Sequence, residues 1–427
     1  MTRGFNTRSL HAGQSRDPAT GARAPPIYQT TSYVFDDADD AAARYALEVE
    51  DHVYSRISNP TTRVLERRMA DLEGGTDAVA TAAGMAALDS ATSVLAESGD
   101  NVVASSDMYG GTATYLSKMA SRRGIETRVV DTLDVAGYEE AIDADTAYVH
   151  VETIANPSLR TPDFEAIADV AHAHETPLVV DNTFASPYLC RPLEHGADVV
   201  WESTTKWLHG SGTTVGGVLV DGGTFPWDAT DKYSELSGEN PAFGVDFSER
   251  FGDRAFAACA RQRAVRSLGN QQSPFDAWVT VQGIETLPLR MEKHCENAAR
   301  VADFLTEHPD VAWVSYPGLD DHETHDLATR YLDGGYGGMV TFGLDGGFEA
   351  AKTLCESVDL ASFLANIGDA KTLIIHPAST THAQLSAEEQ RAAGVAPDML
   401  RLSVGIEDAD DVVADLQQGI ERAVTGA

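Results

Sequence analysis

Two residues whose types suit covalent chemistry follow neighbouring apolar runs in the middle of the chain. Asp181 closes the run PLVV, and Lys206 follows ADVVWEST after one short turn. An aspartate at a strand end is often only a helix cap. Only six of the 31 basic residues are lysines, however, so a lysine inside the apolar, glycine-rich STTKWLHGSGTTVGG favours a buried amine over a solvated charge. A buried lysine with a lowered pKa is suited to forming a Schiff base.

A cofactor with a ring nitrogen and an aldehyde would use both residues. Ligands of parallel α/β sheets lie at the carboxyl ends of the strands, so Asp181 and Lys206 are predicted to project from the same sheet edge. A carboxylate beside a pyridine nitrogen keeps that nitrogen protonated and makes the ring an electron sink. The pair therefore predicts that the chain carries pyridoxal phosphate as a Schiff base on Lys206.

The segment AAGMAALDSATSVL (82–95) could anchor a phosphate group. It has a glycine at the start of a helical pattern, so the amides of Gly84 and Met85 would point at an anion with the helix dipole behind them. Ser203 and Thr205 stand just before Lys206 and can add two hydroxyl donors.

Other motifs indicate chemistry less clearly. The glycine-rich GSGTTVGG (210–217) lacks the GK[ST] ending of a nucleotide-binding loop and is predicted to be a tight turn that lets the backbone approach Lys206. HETH (322–325) is not HExxH, so a solvated loop is preferred and no metal site is expected. HPASTTH (376–382) has no accompanying GxSxG elbow, which argues against a hydrolase. Arg401 lies in a strand-like run, where it either pairs with an acid or awaits an anionic substrate.

The order of the elements predicts a layered α/β protein. Residues 1–60 read as an extended arm, a helix runs from about residue 61 to Gly74–Gly75, and a second helix follows Gly84. Helical segments then alternate with short apolar runs, which indicates a largely parallel sheet with helices on both faces. A long amphipathic helix near 286–307 leads to a second α/β segment. The predicted strands lie within 101–105, 126–131, 146–153, 177–183, 197–204 and 214–220.

Composition and charge limit the possible partners. The chain has 66 acidic and 31 basic residues and a formal net charge of −35, and such an acidic surface would repel nucleic acid and anionic membranes. The scarcity of lysine favours a salt-adapted source, with an acidic protein from a low-salt source as the alternative. No apolar run has membrane-spanning length, which predicts a soluble, cytoplasmic protein. The four cysteines are predicted to be reduced and mostly buried.

Several motifs together resemble one enzyme family along nearly the whole chain. They resemble the Cys/Met-metabolism branch of fold-type I pyridoxal-phosphate enzymes, and in particular its O-acetylhomoserine sulfhydrylase subgroup. The motifs are YSRISNPTT (54–62), AAGMAAL (82–88), MYGGT (108–112), ETIANPSL (152–159), VVDNTF (179–184), ESTTKWLHG (202–210) and HPASTTH…RLSVGIED.

The resemblance implies roles around the cofactor. Lys206 would hold it and shuttle protons, and Asp181 would pair with its ring nitrogen. Tyr109 would stack on the ring as a further catalytic residue. Tyr54 and Arg56 would reach the phosphate of a neighbouring subunit. In the same subunit the phosphate would be held by Gly84, Met85, Ser203 and Thr205.

The resemblance also implies a substrate site and two departures from the family pattern. Asn156 would contact both cofactor and substrate, and with Ser379 it would position the substrate while Arg401 binds the α-carboxylate. Ala83 stands where relatives often have serine, which weakens one phosphate anchor. Gly111 stands where methionine γ-lyases typically have cysteine, which counts against that activity.

The activity implied is γ-replacement on O-acetylhomoserine by sulfide, giving homocysteine and acetate. Alternatives are a γ-lyase or cystathionine γ-synthase acting on methionine, cystathionine or O-succinylhomoserine, and more remotely a non-catalytic cofactor-binding protein. The implied assembly is a homo-oligomer, a dimer with shared sites or a tetramer. The predicted division is an arm over 1–60, a cofactor domain over 61–286 and a C-terminal domain over 287–427.

Overall fold

The computed structural model describes residues 3–384, 386–392 and 394–425. Two sheets organise these residues. The larger has seven strands in the order β1-β7-β6-β5-β4-β2-β3, and the smaller has five in the order β10-β11-β12-β9-β8. The strands are β1 Asp77–Thr81, β2 Asn101–Ser105, β3 Glu126–Val130, β4 Thr146–Glu152, β5 Leu178–Asp181, β6 Val199–Glu202, β7 Gly217–Asp221, β8 Val311–Ser315, β9 Met339–Leu344, β10 Ser362–Phe363, β11 Leu373–Ile375 and β12 Met399–Ser403.

Helices surround both sheets, and short 3₁₀ and π turns extend several of them. The α-helices are α1 Phe5–His11, α2 Ala38–Tyr45, α3 Pro60–Glu73, α4 Gly84–Leu95, α5 Gly110–Thr114, α6 Val135–Ala141, α7 Phe164–Ala173, α8 Ser186–Leu189, α9 Phe247–Phe251, α10 Ala255–Ala260, α11 Pro274–Glu285, α12 Leu287–Glu307, α13 His325–Tyr331, α14 Gly347–Ser357, α15 Ala387–Ala392 and α16 Ala409–Thr425. No helix of the described residues is long and apolar enough to cross a membrane.

The larger sheet is mostly parallel, as the sequence predicted. Strands β2 to β6 pair in parallel, and β7 runs antiparallel to both β1 and β6. Successive residues of a strand face opposite sides, so Val180 belongs to one core with Leu65 of α3, while Val179 belongs to another with Leu88 of α4. Burial on both faces explains why these strands read as continuous apolar runs.

The boundaries of α3 follow from its end residues. The Asn59 side chain accepts a hydrogen bond from the Thr61 amide, Pro60 occupies the first turn, and Gly74 ends the helix with φ 85°. The sequence predicted this helix, the six strands β2 to β7 and α12. It did not predict β1, or the helices α1 and α2 within the N-terminal 60 residues.

The smaller sheet has its own core, in which Val301 of α12, Leu354 of α14 and Leu416 of α16 pack with strand residues such as Phe342. The four cysteines are free and buried, as predicted. A domain boundary at residues 286 and 287 stays a prediction, and this is where α11 gives way to α12.

Candidate active site

Lys206 lies in the turn after β6, and its amine is partly buried. Nζ donates a hydrogen bond to Asn366 Oδ1 at 2.5 Å. Burial, helped by the positive charge of Arg401, lowers the pKa of Lys206 to about 8. The charged form is disfavoured because neither effect supplies a counter-ion. The neutral, nucleophilic form of this amine is therefore more populated near neutral pH than that of an ordinary lysine.

Asn366 lies in the segment between β10 and β11 of the smaller sheet. Its hydrogen bond with Lys206 therefore connects the smaller sheet to the turn after β6 of the larger sheet. Two residues later, Gly368 has φ +72°, and a Cβ there would lie 3.0 Å from Lys206 Cα and 2.7 Å from Trp207 N. Only glycine fits such an approach. Sequence reasoning missed Asn366, because it lies 160 residues from Lys206 and belongs to no chemical motif.

The glycine-rich turn at 210–217 contacts two parts of the site, the start of α4 and the Lys206 backbone. A Cβ on Gly217 would lie 2.3 Å from the Ala83 carbonyl oxygen and 2.7 Å from Gly84 N, so this end of the turn packs against the start of α4. At its other end the turn approaches Lys206 as predicted, because the Gly210 amide donates to the Lys206 carbonyl oxygen at 2.8 Å, and Gly368 approaches the same backbone from the smaller sheet.

The start of α4 has amides that its own cap does not use. Ala83 is the N-cap residue and makes no side-chain hydrogen bond to the helix. Ser203 lies against this end, since a Cβ on Gly84 would be 2.8 Å from Ser203 Cβ. Gly84, Met85 and Ser203 thus lie together at the helix N-terminus, where an anion is stabilised by free amides and the helix dipole. The Thr205 hydroxyl is already engaged, because it donates to the Gly216 carbonyl oxygen at 3.2 Å.

Asp181 ends β5 as a buried carboxyl group. The Thr183 amide donates to Asp181 Oδ1 at 2.9 Å, and no cation of the described residues forms an ion pair with it. Burial raises the pKa of Asp181 to about 7. A cationic ring nitrogen beside this carboxyl would restore its charge, since an opposite charge favours the ionised form.

Two further buried carboxyls, Glu73 and Glu202, lie behind Asp181. Asn182 Nδ2 donates to Glu73 Oε1 at 2.7 Å, and the Glu73 and Glu202 side chains contact each other. Burial raises the pKa of Glu73 to about 7 and that of Glu202 well above its usual value. The neighbouring negative charge of Glu73 disfavours ionisation of Glu202 in the same direction as burial. The signal for Glu202 was available, because it closes an apolar run as Asp181 does.

Arg401 lies in β12 and provides the cationic side of the site. It is 9% exposed, and its NH1 donates to Asn156 Oδ1 at 3.0 Å. Burial lowers the pKa of Arg401 to about 10. No carboxylate in the described part of the chain forms an ion pair with it. Of the two alternatives that the sequence left open, pairing with an acid is not seen among the described residues, and binding of an anionic substrate stays a prediction.

Ser379 follows β11, whose Ile375 is the register partner of Arg401. His376 Nε2 lies 2.8 Å from the Pro397 carbonyl oxygen, which can only accept, so this nitrogen carries the proton. His376 Nδ1 then accepts from the Ser379 hydroxyl at 2.8 Å. A backbone carbonyl, not a carboxylate, orients the imidazole, and His376 in turn holds the Ser379 hydroxyl.

Comparison with known proteins agrees with this geometry. The family of Cys/Met metabolism PLP-dependent enzymes matches residues 6–421. The chain belongs to this family. Similar proteins include a homocysteine synthase of Schizosaccharomyces pombe, 48% identical over 422 residues and covering 98% of each chain. An O-acetyl-L-homoserine sulfhydrylase of Leptospira meyeri is 46% identical over 434 residues, covering 99% of this chain and 98% of that protein.

Solved structures of similar proteins confirm the fold-type I architecture. The crystal structure of a putative O-acetylhomoserine (thiol)-lyase from Campylobacter jejuni, which holds a pyridoxyl-lysine phosphate, has a TM-score of 0.95 and 39% identity. The match covers 98% of this chain and all of that one.

The site fits the cofactor of the Cys/Met metabolism family, pyridoxal phosphate, in four respects. Lys206 supplies an amine with a lowered pKa, and Asp181 supplies a buried carboxyl without a cation. The start of α4 supplies amides beside Ser203 for a phosphate. Tyr109, 45% exposed at the start of α5, is free to contact a ring.

Tyr54 and Arg56 lie on the N-terminal arm, and they contact each other and Arg266. The Arg56 guanidinium lies 5.3 Å from the centre of the Tyr54 ring and donates to the Arg266 carbonyl oxygen. Within the described residues, neither forms a hydrogen bond or ion pair with Lys206 or Asp181.

The HETH segment is more buried than the solvated loop that its sequence predicted. His322 is partly buried, which lowers its pKa to about 4, and Thr324 Oγ1 accepts from the Thr161 amide at 3.0 Å. The hydrogen bond attaches the segment to the loop that contains Thr161, so Thr324 is buried although the segment is polar in composition. No group of three or more His, Cys, Asp or Glu in the described part of the chain could hold a metal ion.

Proposed function

We propose that the chain catalyses γ-replacement on O-acetyl-L-homoserine, with sulfide as the nucleophile and L-homocysteine and acetate as products. The observation that carries this proposal is the buried Arg401, which has no carboxylate partner among the described residues. Such a cation binds the α-carboxylate of an amino acid strongly, because the hydrogen bonds are charge-assisted and shielded from water. The rest of the proposed substrate and its product are inferred from the names of the full-length relatives.

Each residue of the site has a distinct task in this reaction. Arg401, held by Asn156, orients the substrate by its α-carboxylate, and Ser379, held by His376, helps to position the substrate. Lys206 Nζ, with its pKa lowered to about 8, accepts the Cα proton at neutral pH and can return it later. Pyridoxal phosphate, when bound, supplies the electron sink that makes this proton acidic. Acetate leaves from Cγ, and sulfide adds to the same carbon.

The environment of Gly111 disfavours the γ-lyase alternative. A Cβ at this position would lie 2.3 Å from Cε1 of the Tyr109 ring, so any side chain would displace the tyrosine. The cysteine that methionine γ-lyases typically carry here does not fit this arrangement. Glycine at position 111 leaves the space that the Tyr109 ring occupies.

Product analysis with purified holoenzyme tests the proposal. Homocysteine and 2-oxobutanoate are measured in parallel with O-acetylhomoserine, O-succinylhomoserine and methionine, with and without sulfide. Homocysteine from the acetyl ester, with little 2-oxobutanoate, is the expected result. Rapid 2-oxobutanoate release from methionine without homocysteine from the ester would assign a lyase instead.

The assembly and the salt response belong to the same proposal. Tyr54 and Arg56 lie on the N-terminal arm and do not contact Lys206 within one chain, which supports a dimer or tetramer with shared sites, in the cytoplasm of a salt-adapted cell. With −35 charges per chain, counter-ions are needed to screen the repulsion between subunits. Light scattering should show dissociation at low ionic strength, and an intact, active oligomer there would contradict the salt-adapted origin.

A further inference from the structure

Glu152 closes β4, and its carboxyl group joins two loops of the site. Oε1 accepts a hydrogen bond from the Tyr109 amide at 2.5 Å, and Oε2 accepts one from the Asn156 amide at 3.0 Å. The residue is 4% exposed. Each oxygen therefore holds a different loop, one after β2 and the other after β4.

We propose that Glu152 is a positioning residue that fixes Tyr109 relative to Asn156. This inference rests on the roles given above, in which Tyr109 stacks on the cofactor and Asn156 holds Arg401. An amide hydrogen bond fixes the backbone from which each side chain projects. One carboxyl group thus couples the ring-stacking residue to the pair that binds the substrate carboxylate.

The surroundings of Glu152 argue against a role in packing alone. Its Cα is the register partner of Asp181 on the next parallel strand, so two buried carboxyls lie side by side. Burial, with Asp181 and Asp107 adding to it, raises the pKa of Glu152 well above its usual value. An apolar or amide side chain would avoid the cost of burying this acid. Only a carboxyl group, however, offers an acceptor oxygen to both amides.

The variant Glu152→Gln distinguishes a role in positioning the two loops from a role in packing alone. Glutamine has nearly the same shape, but it would turn an NH₂ group toward one of the two amides. The holoenzyme would be titrated with L-norvaline, which has an α-carboxylate but no leaving group, by following the visible spectrum of the bound cofactor. We expect the dissociation constant to rise about tenfold, because a buried donor loses its partner. The visible circular dichroism should change as the stacking geometry shifts.

The variant Glu202→Gln is the matched control. It makes the same substitution in a buried carboxyl at the end of the next strand but one, and its amide can still donate to Glu73. Its norvaline affinity and dichroism should match those of the wild type. Equal values for Glu152→Gln and Glu202→Gln would overturn the proposal. Because norvaline does not react, this outcome is distinct from a failure of the γ-replacement assignment.

Hydrogen exchange on the wild-type holoenzyme keeps the inference testable if Glu152→Gln does not fold. The amides of Tyr109 and Asn156 should exchange slowly, since both are bonded to a buried acceptor. Exchange of either amide at the rate of an unstructured loop would rule out the positioning role.

Discussion

The two sides of the site differ in charge, in origin and in how they are built. The acidic side consists of two carboxyls at the ends of neighbouring parallel strands of the larger sheet, Glu152 and Asp181. The cationic side is Arg401 of the smaller sheet. Acids accumulate where a cationic cofactor ring can compensate them, whereas the single arginine remains available to an anionic substrate. In the proposed reaction the acidic side meets the cofactor ring and Arg401 meets the substrate carboxylate, while Asn156 of the loop after β4 holds Arg401.

Lys206 lies at the junction of the two sides, so its removal should have the largest effect. Lys206→Ala removes both the attachment of the cofactor and the proton carrier, and turnover should fall by more than about 10³-fold. Borohydride reduction of the wild-type holoenzyme followed by peptide mapping should label Lys206. Label on another of the six lysines, or an active alanine variant, would show that Lys206 does not hold the cofactor.

The site residues of the larger sheet could be predicted from the sequence more readily than those of the smaller sheet. The strands β2 to β7 are short apolar runs bounded by polar residues, so their ends, and with them Asp181 and Lys206, could be located from local pattern. β1 was missed because DAVAT is short and begins with an acid. Glu152 closes a run in the same way, and its task could have been suspected from that position.

The smaller sheet was harder to interpret, because its contributions depend on tertiary contacts. Asn366 reaches Lys206 from a loop without a motif, and Gly368 is required only because the Lys206 backbone passes close to it. His376 was noticed as part of a motif, but its task of holding Ser379 follows from the position of the Pro397 carbonyl. None of these contacts leaves a periodic pattern in the sequence.

Removing the Arg401 charge should weaken substrate binding more than cofactor binding. In Arg401→Gln, the substrate loses a charge-assisted contact worth about 1.5–3 kcal/mol, so KM for the acylated homoserine should rise about 10- to 100-fold. The affinity for pyridoxal phosphate should change little. The control Arg422→Gln alters an arginine that is half-exposed on α16 and pairs with Asp359, and should leave KM unchanged. A weakened cofactor affinity in Arg401→Gln, with KM intact, would contradict the division of tasks.

The smallest expected effect is a shift in the pH dependence of cofactor loading. Only the neutral amine attacks an aldehyde, so the rate at which apoenzyme binds pyridoxal phosphate should rise with pH to a midpoint near the Lys206 pKa of about 8. Burial is the main cause of this lowered pKa, and the nearby Arg401 charge adds to it. In Arg401→Gln, the charged lysine is less disfavoured, so its pKa rises and the midpoint should move to higher pH. Stopped-flow absorbance from pH 6 to 10 measures both curves. Coincident curves would show that the cationic side does not influence the amine, and that burial alone lowers its pKa.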